Sequence, residues 1–327
     1  MAARTSRINT ETQKKRIIRS LFAFRWLRKR EGADFSPIVT LDDVQQAITR
    51  AQERWKNNGV TPLSKRNPAN FFKDIVRRES TYRNAWPWSA IKRGFIGIQA
   101  KGRSRPKETP KGESPCFKFV EFNSSDPIGD LYQQVPTYNR PRSTDEARIF
   151  DIQTLELPVE VRRLRREDET FILQLIVRLR VIETHLGIVS KKGFESLVHL
   201  QMGLKLRNAE IDALFLGVLQ SEKTRPVELS NNQRVLVALE AKGNTDDILK
   251  SQIEDQAIAL FALDAFKEEV DFVVPMAAKL VAQSRLYVAE YEFIGRDALA
   301  NRSPELSTLR LASEAFYDLS PAIGGPC

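Results

Sequence analysis

The sequence predicts a two-domain chain of mixed α+β and α/β class, a small helical domain followed by a mixed β-sheet flanked by helices. Three observations predict it. Ala213–Leu219 and Val235–Leu239 are short apolar runs between polar stretches, the pattern of strands buried on both faces. Longer runs with helical spacing, Asp168 to Gly187 and Thr245 to Leu263, lie on either side of them. The charge also divides the chain: residues 1–125 carry 27 Lys and Arg against 11 Asp and Glu, net +16, and the remainder carries 24 against 31, net −7, for a total of +9. At 327 residues and 42% hydrophobic side chains, the chain is long enough for two packed cores. The expected boundaries are 1–125 for the basic domain, 126–149 for a linker, 150–300 for the sheet domain and 301–327 for a C-terminal helix and tail.

In the basic domain, Glu11–Arg30 reads as an amphipathic helix with Ile17, Ile18, Leu21, Phe22, Phe24 and Leu27 on its apolar side. A second helix opens after Thr40, whose spacing to Asp43 is that of a capping box, and runs to Trp55. Asn57-Asn58-Gly59 ends it. Asn67 as N-cap and Pro68 at the first helical position start a third helix, which runs to about Arg78. Its apolar side is Phe71, Phe72, Ile75 and Val76, and its other side shows Asn70, Lys73, Arg77 and Arg78. Two strands follow, Phe95–Ala100 and Cys116–Phe122, joined by a basic segment containing Lys101, Arg103, Arg105 and Lys107.

Three helices and a hairpin with a long basic loop resemble a winged helix. The resemblance implies that the third helix enters the major groove of double-stranded DNA. Arg77 and Arg78 would then contact guanine edges, beside Asn70 and Lys73, while the four cations of the loop hold phosphates. A net +16 fits such a partner. A small basic dimerisation domain with solvated charges is the alternative. Trp86 and Trp88 flank Pro87 directly after the third helix. They either pack the hairpin onto the helix or offer an aromatic surface to a base. A modified-base reader would use such a surface, and 5-methylcytosine is one base it would suit.

Residues 124–145 are polar and proline-bearing, as a linker is. Arg162, Arg163, Arg165 and Arg166 precede the first helix of the sheet domain, where they either touch phosphates or pair with Glu167, Asp168 and Glu169. Val270–Val274 and Arg285–Phe293 read as strands, and Pro304–Tyr317 as a C-terminal helix.

Asp212 begins one apolar run, and Glu240 and Lys242 end the next. Residues i and i+2 of a strand share a face, so Glu240 and Lys242 project together with Ala241 opposite. If the two strands pair, two carboxylates and an ammonium meet at one edge of the sheet. Hard oxygens suit Mg²⁺, and a neighbouring lysine can orient or deprotonate a water. Metal-assisted phosphodiester hydrolysis needs such a set. Asp212 followed by Glu240-Ala241-Lys242 resembles the PD-(D/E)XK nuclease core of many restriction endonucleases, over roughly residues 150–295. Ile211 stands where that pattern has a proline. The resemblance implies an αβββαβ order, a glutamate from the first helix, here Glu183, and a glutamine from the later one, Gln256 or Gln252. It implies that Asp212, Glu240 and the Ala241 carbonyl bind Mg²⁺, with Mn²⁺ as a substitute, and that Lys242 acts on the attacking water. Otherwise Asp212 caps a turn, and Glu240 and Lys242 are an exposed strand-end pair.

The expected function is a site-specific endonuclease on double-stranded DNA, dimeric because cutting both strands needs two sites. A structure-directed repair or recombination nuclease and a DNA-binding regulator with an inactive core are the other two classes. The sequence contains no G-x-x-x-x-G-K-[ST], so no nucleotide cofactor is expected. No run of about 18 apolar residues suggests a membrane span, and the N-terminus lacks a secretory signal, so a cytoplasmic protein is expected. Cys116, Cys327, His185 and His199 are too few and too scattered for a zinc site or disulfide framework, and both histidines are expected to be structural.

Overall fold

The computed structural model describes residues 10–32, 34–55, 63–64, 68–100, 114–136, 148–163, 168–206, 209–220, 233–266, 269–270, 272–296 and 309–323. The protein is mixed α and β, and it divides into two compact units, the first ending at Tyr132 and the second beginning at Gln133.

The first unit contains α1 (Thr10–Arg30), β1 (Ile38–Thr40), α2 (Leu41–Trp55), α3 (Asn70–Val76), α4 (Glu79–Ala85), α5 (Trp88–Ile91), β2 (Phe95–Gln99), β3 (Pro115–Glu121) and α6 (Pro127–Leu131). Its strands form a small antiparallel sheet in the order β1-β3-β2. The capping box at α2 forms reciprocally: the Asp43 amide donates to Thr40 Oγ1 at 3.2 Å and the Thr40 amide to Asp43 Oδ2 at 2.9 Å. Asp43 also accepts from Arg25 of α1 at 2.7 Å, which ties the two helices together.

Several expectations need correction here. Ile17, Ile18, Leu21 and Phe22 are buried, but Phe24 and Leu27 lie outward. The third helix is shorter than expected, because Arg78 takes an extended conformation and starts α4 instead. The segment around the tryptophans is helical, in α4 and α5, and the two rings part company. Trp86 is 1% exposed and Trp88 is 68% exposed. Trp86 stacks on Tyr82 at 5.2 Å, donates from Nε1 to the Phe95 carbonyl at 3.2 Å and lies over Gly97, where any Cβ would meet its ring at 2.3 Å. Trp86 is therefore core, held by the sheet, and cannot touch a base. The linker starts later than expected, since Asp126 caps α6 through the Gly129 amide at 3.1 Å and binds Arg83 at 2.9 Å.

The second unit contains β4 (Arg148–Gln153), α7 (Val159–Arg163), α8 (Glu169–Arg178), α9 (Val181–Ile188), β5 (Phe194–Lys205), β6 (Glu210–Leu219), β7 (Gln233–Lys242), α10 (Lys250–Leu260), β8 (Phe272–Ala282), β9 (Arg285–Tyr291), β10 (Ile294–Gly295) and β11 (Leu311–Ser320). Its eight-stranded sheet runs β4-β11-β9-β8-β7-β6-β5, with β10 paired to β8. The β7–β8 and β4–β11 pairs are parallel and the others antiparallel. One face packs on α8 and α9 through Phe171, Ile176 and Leu186 against Phe215, Val237 and Met276. The other packs on α10 through Ala257 and Leu260 against Leu214, Leu236 and Val273.

Three corrections follow in this unit. The single helix expected over 168–187 breaks at Arg180, which adopts φ 52° without a glycine or proline to announce it. β8 runs well past Val274, through Pro275. The proline is in register with Ala238 of β7, and on the other edge of β8 it falls between the β10 pairing at Val273 and the β9 pairing at Met276. The expected C-terminal helix is instead β11, with Ala315, Phe316, Tyr317 and Leu319 buried between β9 and β4. Ladder pairing on both sides overrides its weak helical preference.

Among the described residues no helix is long and apolar enough to cross a membrane.

Candidate functional site

β7 is buried from Val235 to Lys242, as a central strand of a sheet covered on both faces must be. Its odd residues, including Ala241, belong to the α8–α9 face. Its even residues face α10, so Glu240 and Lys242 share that side, and Lys242 Nζ bonds Glu240 Oε1. Glu240 is 1% exposed and Lys242 9% exposed. The pair is therefore enclosed and is no exposed strand-end decoration.

The regular β6–β7 ladder ends at Ala213 and Leu239. Beyond it the Asp212 carboxylate replaces a backbone acceptor, taking the Ala241 amide at 2.7 Å. A strand residue's N–H and C=O leave by the same edge, so the Ala241 carbonyl also faces the Asp212 side. The pairing thus brings Asp212, Glu240, Lys242 and the Ala241 carbonyl to the end of two adjacent strands.

α10 closes the site. It begins at Lys250, later than the expected Thr245, and both of its glutamines reach Glu240: Gln252 Nε2 bonds Oε1 and Gln256 Nε2 bonds Oε2. Gln256 Nε2 also donates to the Glu210 carbonyl at 2.7 Å. Gln256 Oε1, buried beside these groups, has no hydrogen-bond partner among the described residues.

Burial, and then the charge of Glu240, push the Asp212 carboxyl up to about 7 from its ordinary 3.8. Burial works against the Lys242 ammonium, but Glu240, Glu169 and Asp212 outweigh it and raise its pKa. The pocket is therefore short of positive charge at Asp212 and holds Lys242 as a cation.

Glu169 approaches Lys242 Nζ at 3.5 Å from the first turn of α8, and Arg165 and Arg166 of the basic run before it lie outside the described residues. Asp168 caps that turn by accepting from the Phe171 amide at 3.1 Å. Glu183, the expected helical glutamate, sits on α9 with Arg180 and His199 as its charged neighbours, and burial raises its pKa. The break at Arg180 separates α9 from α8, so the glutamate nearest the lysine comes from the earlier helix. The resemblance implies a glutamate of the first helix, here Glu183; Glu169, next to the N-cap Asp168, is a second glutamate of that run.

Lys279 was also missed. It is the register partner of Lys242 on β8, and it is anchored by Asp247 at 2.7 Å. His185 lies buried between Tyr317 Oη at 3.0 Å and Ser313 Oγ at 2.9 Å, and burial lowers its pKa to about 3.

Two carboxylates and one carbonyl form the oxygen set, and among the described residues no three His, Cys, Asp or Glu side chains are grouped to hold a metal ion. The set still fits Mg²⁺. That ion uses one or two carboxylates and fills its remaining positions with water and phosphate oxygens. The unpartnered Gln256 oxygen and the protonation-prone Asp212 both mark a missing positive charge.

In the first unit Asn70, Lys73, Arg77 and Arg78 are all exposed. Lys101, Arg103, Arg105 and Lys107 lie outside the described residues. No protein-family model matches the chain, and neither does any curated protein or solved structure.

Proposed function

We propose that the second unit is a Mg²⁺-dependent DNA endonuclease with a PD-(D/E)XK core, and that the basic first unit, winged-helix-like in its element order, holds double-stranded DNA. One observation carries the reading: Asp212, Glu240 and Lys242 converge at the ends of adjacent central strands, and both glutamines of the following helix grip Glu240. The order helix, β5, β6, β7, α10, β8 also agrees with that core.

In this reading Asp212, Glu240 and the Ala241 carbonyl hold the ion. Bound Mg²⁺, or Mn²⁺ in its place, supplies Lewis-acid stabilisation of phosphate charge and a more acidic water. Lys242 orients the attacking water and presents its ammonium to the scissile phosphate. Gln252 and Gln256 fix the Glu240 carboxylate so that its lone pairs point into the site. Glu169 holds Lys242 in place. Cutting both strands calls for two copies of the chain.

Digestion of one plasmid, unmethylated and cytosine-methylated, with Mg²⁺ and with EDTA, tests this. Discrete bands that need Mg²⁺ support a sequence-specific endonuclease, and the lane that shows them decides methylation dependence. A smear identifies a nonspecific or structure-directed nuclease. Intact plasmids with a retained gel shift identify a DNA-binding regulator and overturn the enzymatic reading.

A further inference from the structure

The first unit carries a second cationic surface, distinct from the exposed side of α3. A groove of about 770 Å³ runs between α1, α2 and α5. Six guanidiniums line it: Arg16, Arg19 and Arg30 from α1, Arg50 and Arg54 from α2, and Arg93 just beyond α5. All six residues are exposed, and among the described residues no carboxylate lines the groove. Of the acids of α2, Asp43 is taken by Arg25, and Asp42 and Glu53 line a separate hollow that Arg50 also borders. The α3 surface is weaker by comparison. There Lys73 and Arg77 share the exposed side with Asp74, which is itself engaged by Lys14 at 3.6 Å.

We propose that this arginine groove is the main phosphate-backbone clamp of the protein, and that it binds duplex DNA without reading sequence. The inference rests on the DNA-binding reading given above. Arginine presents a planar fork that matches phosphate oxygens two at a time. From Arg16 to Arg30 the helix extends about 21 Å at 1.5 Å per residue. Projected on the axis of a duplex, that length covers about six phosphates of one strand at 3.4 Å of rise each. The ring in the groove is already engaged: Trp26 stacks on Phe22 at 5.9 Å, and the Arg93 guanidinium sits over it at 5.4 Å. A ligand therefore meets guanidinium edges and no free stacking platform, which favours a paired backbone over an unstacked single strand.

The test compares two charge-matched variants of the full-length chain, Arg19→Ala with Arg54→Ala in the groove and Lys73→Ala with Arg77→Ala on α3. Binding of a labelled duplex of about 20 base pairs, two helical turns, is followed by anisotropy in EDTA across salt concentrations. Each lost phosphate contact removes about 0.9 from the log–log salt slope, so the groove variant should lose about 1.8 and bind on the order of fiftyfold more weakly near 0.1 M salt. The α3 variant should lose less on both measures. A groove variant with the wild-type slope, or one that loses less than the α3 variant, overturns the groove assignment while leaving DNA binding intact. A wild-type protein that binds no duplex overturns both the groove and the DNA reading. Displacement of the duplex by poly-glutamate as effectively as by unlabelled DNA would make the groove a site for acidic proteins and also overturn the proposal.

Discussion

In the first unit the interior is aromatic, and among the described residues Arg25 is a buried cation, paired with Asp43. Phe72, Tyr82, Trp86, Phe117 and Phe119 are all buried there, with Phe72 and Phe117 stacked at 4.6 Å. In the second unit ionisable groups are taken inside: His185, Glu240, Lys242, Glu254, Lys279 and Glu290 are all buried. Some of these are fully supported. Glu290, for example, accepts from Ser190 at 2.8 Å and from Ser313 at 2.5 Å. Asp212 and Gln256 Oε1 are not. Burying a charge costs several kcal/mol before its partners compensate. An enclosed carboxylate that prefers its proton is thus a weakness for stability and a resource for binding a cation. In the first unit the buried Arg25 keeps Nε without a partner among the described residues but is held by Asp43 and the Leu21 and Ile38 carbonyls.

Asp212→Asn should give the largest separation of the two properties. Loss of a metal ligand worth several kcal/mol of transition-state charge stabilisation should slow cleavage by on the order of 10³-fold, measured in single-turnover digestion. The same change should stabilise the metal-free fold at pH 8 by about 2 kcal/mol in denaturant titration, because the folded state no longer has to ionise a buried acid. The parent protein holds the Asp212 proton up to about pH 7, whereas an unfolded carboxyl releases it near its ordinary 3.8. Its metal-free stability should therefore be full below that lower value and fall as pH rises toward 7, and the Asn variant should lack this fall. Equal pH profiles for the two proteins would refute the charge shortage.

Trp86→Ala should destabilise the protein by about 3–5 kcal/mol, the usual cost of emptying a buried indole site, read from chemical unfolding. Trp88→Ala, at an exposed ring, should stay within about 0.5 kcal/mol. Similar losses for both would erase the distinction between core and surface drawn for the pair.

Glu169→Gln should lower cleavage about tenfold, the lower range for a residue that orients a catalytic partner, and it should shift the pH profile, because the Lys242 ammonium loses a supporting charge. Glu183→Gln should change neither cleavage nor its pH profile. A reversal of this order would return the helical glutamate role to α9.

Local chemistry made some of this legible beforehand. Thr40 and Asp43 marked a helix start that forms with both bonds. The spacing of Glu240 and Lys242 put them on one face, and one helical turn put Gln252 and Gln256 within reach of the same carboxylate. Other features depended on partners remote in sequence. Nothing around Leu179 and Arg180 signals a break, so Glu183 looked closer to the site than Glu169. The strand expected over Val270–Val274 continues through Pro275 to Ala282 because β7 and β9 pair with it on either side. Leu311 to Ser320 has ordinary helix formers and becomes a strand only because β9 and β4 pair with it on either side.

By itself, the sequence determined the charge division, the central strands and the face shared by Glu240 and Lys242. Those depend on composition and on the period-two geometry of a strand. Only the tertiary structure decided that Asp212 meets the Ala241 amide, that Glu169 reaches Lys242, that Trp86 is core while Trp88 is not, and that six arginines from three segments line one groove. Each of these joins residues far apart along the chain, and their meeting is fixed by strand register and helix packing, which no local pattern encodes.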